Sequence, residues 1–175
     1  MLKKIVIGVL VFLAIFVALG YALGSHFRVE RRVTIKSDVA RVHEYCGELK
    51  NWPAWSPWEE ADPTIVTTLG EKTTGVGAHQ SWTGKDGAGE LTFTRCDPEV
   101  GIAYDMVFID GERRSPSVSL MNYKPVVGGV EVAWILEGDL DLPVIGPYMA
   151  LFFDSLVGPS FERGLDKLKV VCEKT

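Results

Sequence analysis

The alternation of hydrophobic and polar positions divides the chain into three zones. In the first, Ile5 to Leu23 form an uncharged apolar run behind Lys3 and Lys4; at ~1.5 Å rise per residue a helix of this length spans roughly the ~30 Å hydrocarbon core of a bilayer. In the second zone Phe27, Val29, Val33 and Ile35 alternate with Arg28, Glu30, Arg32, Thr34 and Lys36, the period of two expected of a half-buried strand. Ser37 or Asp38 is placed to cap a helix whose apolar residues Val39, Val42, Cys46 and Leu49 recur at helical spacing. Two prolines in Asn51-Trp52-Pro53-Ala54-Trp55-Ser56-Pro57-Trp58 then forbid a long helix and predict a short helical or 3₁₀ turn.

Six strand-like runs follow, at about 64–69, 76–84, 89–96, 101–109, 116–124 and 129–137. Asp86-Gly87, Asp97-Pro98, Asp110-Gly111 and Gly128-Gly129 punctuate them with turn chemistry. With no helix between them, successive strands must pair antiparallel. Beyond Pro143 the third zone has helical spacing, with Phe161, Leu165, Leu168 and Cys172 on one face, and Gly158-Pro159 is expected to kink or break the helix. Met149 to Val157 is apolar nearly all round, which implies deep burial or contact with lipid.

Composition narrows the picture. A chain of 175 residues with 47% hydrophobic and 23% charged residues has room for one folded domain, taken as residues 25–175 behind an anchor at 1–24. The net charge is −5 and becomes −7 without Lys3 and Lys4, which disfavours a nucleic-acid partner. Cys46, Cys96 and Cys172 are far apart, form no CxxC pair and fit as small buried hydrophobes rather than a disulfide framework. For the N-terminal run two readings compete: Ala22-Leu23-Gly24 before Ser25 would suit signal cleavage, but the run exceeds a signal peptide's apolar region and favours an uncleaved single-pass anchor. Lys3 and Lys4 are balanced by Arg28, Arg31 and Arg32. The expected location is therefore a membrane, taken by analogy with signal anchors as the bacterial inner membrane with the domain facing outward.

The order strand, two short helices, antiparallel meander, long helix is solved by a curved sheet of about seven strands wrapped around the final helix, an α+β fold. Four segments carry a resemblance to a known family: the helix start at Ser37–Val42, the Trp-Pro segment Asn51–Trp58, Gly75-Val76-Gly77-Ala78 leading to Ser81-Trp82, and Gly158-Pro159-Ser160-Phe161-Glu162-Arg163-Gly164-Leu165. With them the chain resembles the START-like helix-grip (SRPBCC) superfamily in its polyketide cyclase/dehydrase-type branch, over nearly all of residues 27–173. The resemblance implies the helix-grip fold and a cavity for a hydrophobic small molecule or lipid; it does not imply a reaction.

Candidate chemistry is sparse. No GxSxG or HExxH motif occurs, and Gly75-Val76-Gly77 leads into a strand with Gln80 where a dinucleotide fingerprint needs glycine. No cofactor or metal site is expected. His79, Tyr104 and Asp105 are the acid/base candidates, but alternation turns His79 and Asp105 to solvent. Trp82, Phe93, Tyr104, Phe108 and Trp134 fall on the apolar faces of their strands, where core packing and a ligand wall are both open readings. Met106, Leu120, Phe152 and Leu156 are added as cavity candidates. Trp52, Trp55 and Trp58 are assigned to packing or a cavity mouth, with the membrane interface as a third place. Among polar residues on apolar faces, Gln80 and Asn122 are candidate ligand contacts, whereas Arg31 is expected near a strand end in water. The leading expectation is a membrane-tethered, non-catalytic binding domain. A cyclase or dehydratase using acid/base chemistry in the cavity, and a membrane-associated interaction scaffold, are the alternatives.

Overall fold

The computed structural model describes residues 1–85 and 87–174. Helix α1 (Leu2–Ala22) is the apolar run. It is long and apolar enough to cross a membrane and is exposed along nearly its whole length, with Gly20 its buried residue. After a short link come β1 (His26–Ile35), α2 (Val39–Cys46), a 3₁₀ turn (Leu49–Ala54) and α3 (Trp58–Ala61). The meander β2 (Val66–Leu69), β3 (His79–Gly84), β4 (Gly87–Asp97), β5 (Gly101–Asp110), β6 (Arg113–Val126) and β7 (Gly129–Asp139) leads to α4 (Ile145–Glu173).

All seven strands form one antiparallel sheet in the order β1-β7-β6-β5-β4-β3-β2. Each neighbour in the meander follows a turn, while β1 returns to pair with the last strand, His26 opposite Asp139 and Ile35 opposite Val130. The expected turns at Asp110-Gly111 and Gly128-Gly129 are present, with Gly111 at φ 58° and Gly128 at φ 83°, where a side chain would be strained. Asp86 of the expected Asp86-Gly87 turn lies outside the described residues.

The Asp38 side chain caps α2 by accepting from the Arg41 amide at 2.7 Å. The 3₁₀ turn is pinned by its tryptophans: Trp52 Nε1 donates to the Cys46 carbonyl at 2.9 Å and Trp55 Nε1 to the Tyr45 carbonyl at 3.0 Å. In the second half of α4, Phe161, Leu165, Leu168 and Cys172 are buried in the core formed with Val29, Ile35, Val132 and Trp134 of the sheet. All three cysteines are free thiols.

Two expectations about α4 and β1 are corrected together. Of the expected kink or break at Gly158-Pro159, the break does not occur, since the helix continues through both residues, and Arg31 lies mid-strand, facing α4, rather than at a strand end in water. Its guanidinium holds Asp154 at 2.8 Å and Glu162 at 2.7 Å, one residue on each side of the break-prone pair. A Cβ on residue 158 would collide with this guanidinium, so glycine lets helix and strand approach. The two ion pairs tie the halves of the helix to one strand across the proline's missing hydrogen bond.

Candidate ligand cavity

The sheet curves away from α4 at one end and leaves a cavity of about 480 Å³, within the ~300–1,000 Å³ of small-molecule sites. Strand register arranges its wall in rows. The outermost row runs through Thr67, Trp82, Gly89, Phe108 and Ser115. The next contains Gln80, Leu91, Met106, Ser117, Gly138 and Phe27. The third contains Tyr104, Ser119 and Leu136, with Phe93 in register beside Tyr104 but behind the wall. Along β5 the side chains pass from exposed Phe108 through half-buried Met106 to buried Tyr104, so the cavity opens at the outermost row and closes at the third.

At the closed end Trp134 stacks on Phe161 of α4 with centroids 4.0 Å apart and a 17° interplanar angle. Its Nε1 points to Ser119 Oγ at 3.2 Å and Tyr104 Oη at 3.3 Å, and Ser119 donates to the Ile135 carbonyl at 2.8 Å. Burial pushes the Tyr104 hydroxyl up to about 12, against the opposing effect of its bonds to Ser119 and Trp134. The phenol therefore stays protonated and acts as a hydrogen-bonding group, not a base. At the open end the Trp82 indole covers Gly89, where a Cβ would collide with it, and meets Phe108 edge-on at 5.8 Å. The lip is completed by Asp139, Leu140 and Phe153. The Leu140 amide donates to the Ser25 carbonyl at 3.0 Å, so the opening lies beside the junction with α1.

Gln80 is the polar residue that stands out in this wall. It is 9% exposed and its side-chain amide has no hydrogen-bond partner among the described residues. No sealed, unpaired side-chain polar atom occurs among the described residues, so this amide opens to the cavity and is available to a polar group of a ligand or to water. Ser115 and Ser117 add further hydroxyls along β6.

Of the residues singled out from the sequence, Gln80, Trp82, Tyr104, Met106, Phe108, Trp134, Trp52 and Trp58 line the cavity. Phe93 is buried behind it, against Trp52 and Tyr104, and Trp55 is fully enclosed beside Trp52 and Trp134. Leu120 and Asn122 lie on the outer face of β6, where Asn122 Oδ1 accepts from Arg95 at 2.6 Å. Apolar residues occupy both faces of this strand, and the inward face belongs to Ser115, Ser117, Ser119, Met121 and Tyr123. Phe152 and Leu156 point outward, and their neighbours Phe153 and Val157 form the wall instead. His79 bonds Thr92 on the outer face at 3.1 Å and Asp105 is exposed, away from the cavity.

This architecture matches known proteins. The profile of the family described as polyketide cyclase / dehydrase and lipid transport matches residues 26–173. The chain belongs to that family. Its cavity is thereby supported as a site for a hydrophobic ligand. Among solved structures, protein CV1439 from Chromobacterium violaceum is similar with a TM-score of 0.64 and 15% identity, over 85% of this chain and 98% of that one. Protein MLL2253 from Mesorhizobium loti is similar with a TM-score of 0.63 and 11% identity, over 85% of this chain and 98% of that one. The di-domain ARO/CYC StfQ from the steffimycin biosynthetic pathway has a TM-score of 0.60 and 12% identity, over 85% of this chain and 51% of StfQ. At these identities the likeness is one of fold. No curated protein matches the chain.

Proposed function

We propose that the chain is a membrane-anchored domain that holds a hydrophobic small molecule or a lipid in the cavity between sheet and α4. The observation that carries this reading is an aromatic-walled void of about 480 Å³ with the unpartnered Gln80 amide in its wall. A filled core would have neither. The amide suits an otherwise apolar ligand that bears a carbonyl or hydroxyl group.

Proton-transfer chemistry has less support. A cyclase or dehydratase of the acid/base kind needs a cavity group that exchanges a proton near neutrality. Tyr104 holds its proton to about 12. Asp62 is held below the usual carboxylate range by its hydrogen bonds from Thr64. Neither of these two groups supplies that exchange, and binding without catalysis is the reading adopted.

The contacts of α1 favour an anchor over a removable leader. Tyr148 Oη donates to the Phe16 carbonyl at 2.7 Å, and the two rings stack at 4.3 Å with a 5° interplanar angle. A leader lost on export has no need of such fitting. The domain is assigned to the outer side of a bacterial inner membrane, as for signal anchors with a short basic tail.

Solvent extraction of the purified full chain followed by mass spectrometry tests the proposal. A discrete apolar compound in near-stoichiometric amount is expected. Repeated extraction of bulk membrane lipid alone, in proportion to the membrane and not to the protein, would contradict it.

A further inference from the structure

We propose that the open end of the cavity and the outward face of the first half of α4 rest in the lipid surface beside α1, so that ligand passes between leaflet and cavity without crossing water. This rests on the reading of α1 as a membrane anchor.

The face is a stripe. Ile145, Met149, Phe152 and Leu156 recur at helical spacing and are 56%, 40%, 64% and 68% exposed. No charged residue occurs between Asp141 and Asp154. Asp154, the first on the helix, turns to Arg31 on the sheet. Such a stripe in water is the arrangement a monomeric soluble domain avoids.

Its occupant follows from its neighbours. Val144 packs on Gly20, where its carbonyl and Cγ1 would come within 2.7 and 2.9 Å of a Cβ. Four residues later along α4 and four earlier along α1, Tyr148 meets Phe16. The two helices therefore start out antiparallel and share depth. Phe16 lies six residues before Ala22, so the first turn of α4, at Tyr148, lies ~9 Å below the end of α1 at ~1.5 Å per residue. That matches the ~5–10 Å to which an apolar helix face settles into the boundary of headgroups and acyl chains. Tyr21, exposed at the same end of α1, and Tyr148 are of the residue type enriched at that level.

The cavity face adjoins the stripe. Phe153 follows Phe152, Val157 follows Leu156, and both line the cavity. The lip at Leu140 is bonded to Ser25, the last residue of the three-residue link between α1 and β1. A helix that lays one side on lipid thus presents the adjoining side as the cavity wall, and the opening faces the surface that supplies apolar molecules.

The test uses the full chain with Cys96→Ser as background, reconstituted in phosphatidylcholine vesicles that contain doxyl-labelled phosphatidylcholine. Cysteines introduced one at a time at Phe152→Cys, Leu156→Cys, Phe12→Cys and Val127→Cys carry an environment-sensitive nitrobenzoxadiazole probe, the remaining Cys46 and Cys172 being buried. Positions 152 and 156 are expected to emit at shorter wavelength than position 127, at the far end of the sheet, and to lose most of their emission to the doxyl lipid, as position 12 does. Quenching at 12 with none at 152 and 156 would overturn the proposal and leave the anchor standing. Absence of quenching at all four positions would overturn both. Because both α4 side chains are exposed, neither substitution removes core packing.

Discussion

The two halves of α4 solve different problems with the same helix. In the second half, Phe161, Leu165, Leu168 and Cys172 enter the core and charged residues such as Glu162, Arg163 and Asp166 face water. In the first half, Phe153 and Val157 face the cavity while Met149, Phe152 and Leu156 are exposed. An amphipathic pattern reveals how a helix is rotated only when its second face meets water. When the second face also meets an apolar environment the pattern goes flat, and that flatness is itself information about the surroundings.

The sharpest test of this contrast is Phe161→Ala. Its ring is 1% exposed and stacked on Trp134, so its removal should cost ~3–5 kcal/mol in denaturant unfolding of the full chain in detergent. A cost under ~1 kcal/mol would mean that the second half is not the packed core described. Gly158→Ala comes next, at ~1–3 kcal/mol, because the new methyl group must displace the Arg31 guanidinium and with it the ties to Asp154 and Glu162.

Asp154→Asn should cost less than ~1 kcal/mol at neutral pH, since the carboxylate is half exposed. Its pH dependence has a definite sign. The hydrogen bonds from Arg31 lower the Asp154 pKa in the folded chain, so between the folded and unfolded values the unfolded chain binds more protons. The contribution is complete above the unfolded value of ~4 and is lost as pH falls through the folded one. The difference between wild type and Asp154→Asn should therefore close in acid, as followed by thermal unfolding at a series of pH values. A difference that is constant down to strong acid would show that the ion pair is not its source. The smallest effect is expected of Phe152→Ser, within ~0.5 kcal/mol in the same detergent. A loss comparable to that of Phe161→Ala would place Phe152 in the core and erase the contrast between the halves.

The same physics decides what could be seen in the sequence. The α+β order, the antiparallel meander and the apolar N-terminal helix were legible because β1 alternates cleanly and Gly111 and Gly128 occupy turns that need positive φ. The inward positions of Gln80 and Trp82 were legible for the same reason, since His79, Ser81 and Thr83 flank them on the outer face, whereas Phe108 and Trp134 lie between the apolar pairs Val107/Ile109 and Ala133/Ile135 and were marked by their rings rather than by their neighbours. On β6 the outward residues Val118 and Leu120 are as apolar as the inward Met121. Parity there was misplaced by one residue, so Leu120 and Asn122 stood in for the serines at 115, 117 and 119. The error at Phe152 and Leu156 is likewise one residue, in a helix segment with no polar face to set its rotation. Arg31 needed partners more than 120 residues away, at Asp154 and Glu162, and no local pattern announces these.

The most direct test of the ligand cavity compares the full chain with Ser117→Phe by native mass spectrometry after gentle release from membrane. Ser117 lines the middle of the void beside Gly138, so a phenyl ring there should occupy the space a ligand would take while adding apolar contacts. The account predicts a discrete bound mass on the wild-type chain that is absent from Ser117→Phe, with both proteins folded. Equal adducts on both, or none on the wild type across repeated preparations, would contradict it.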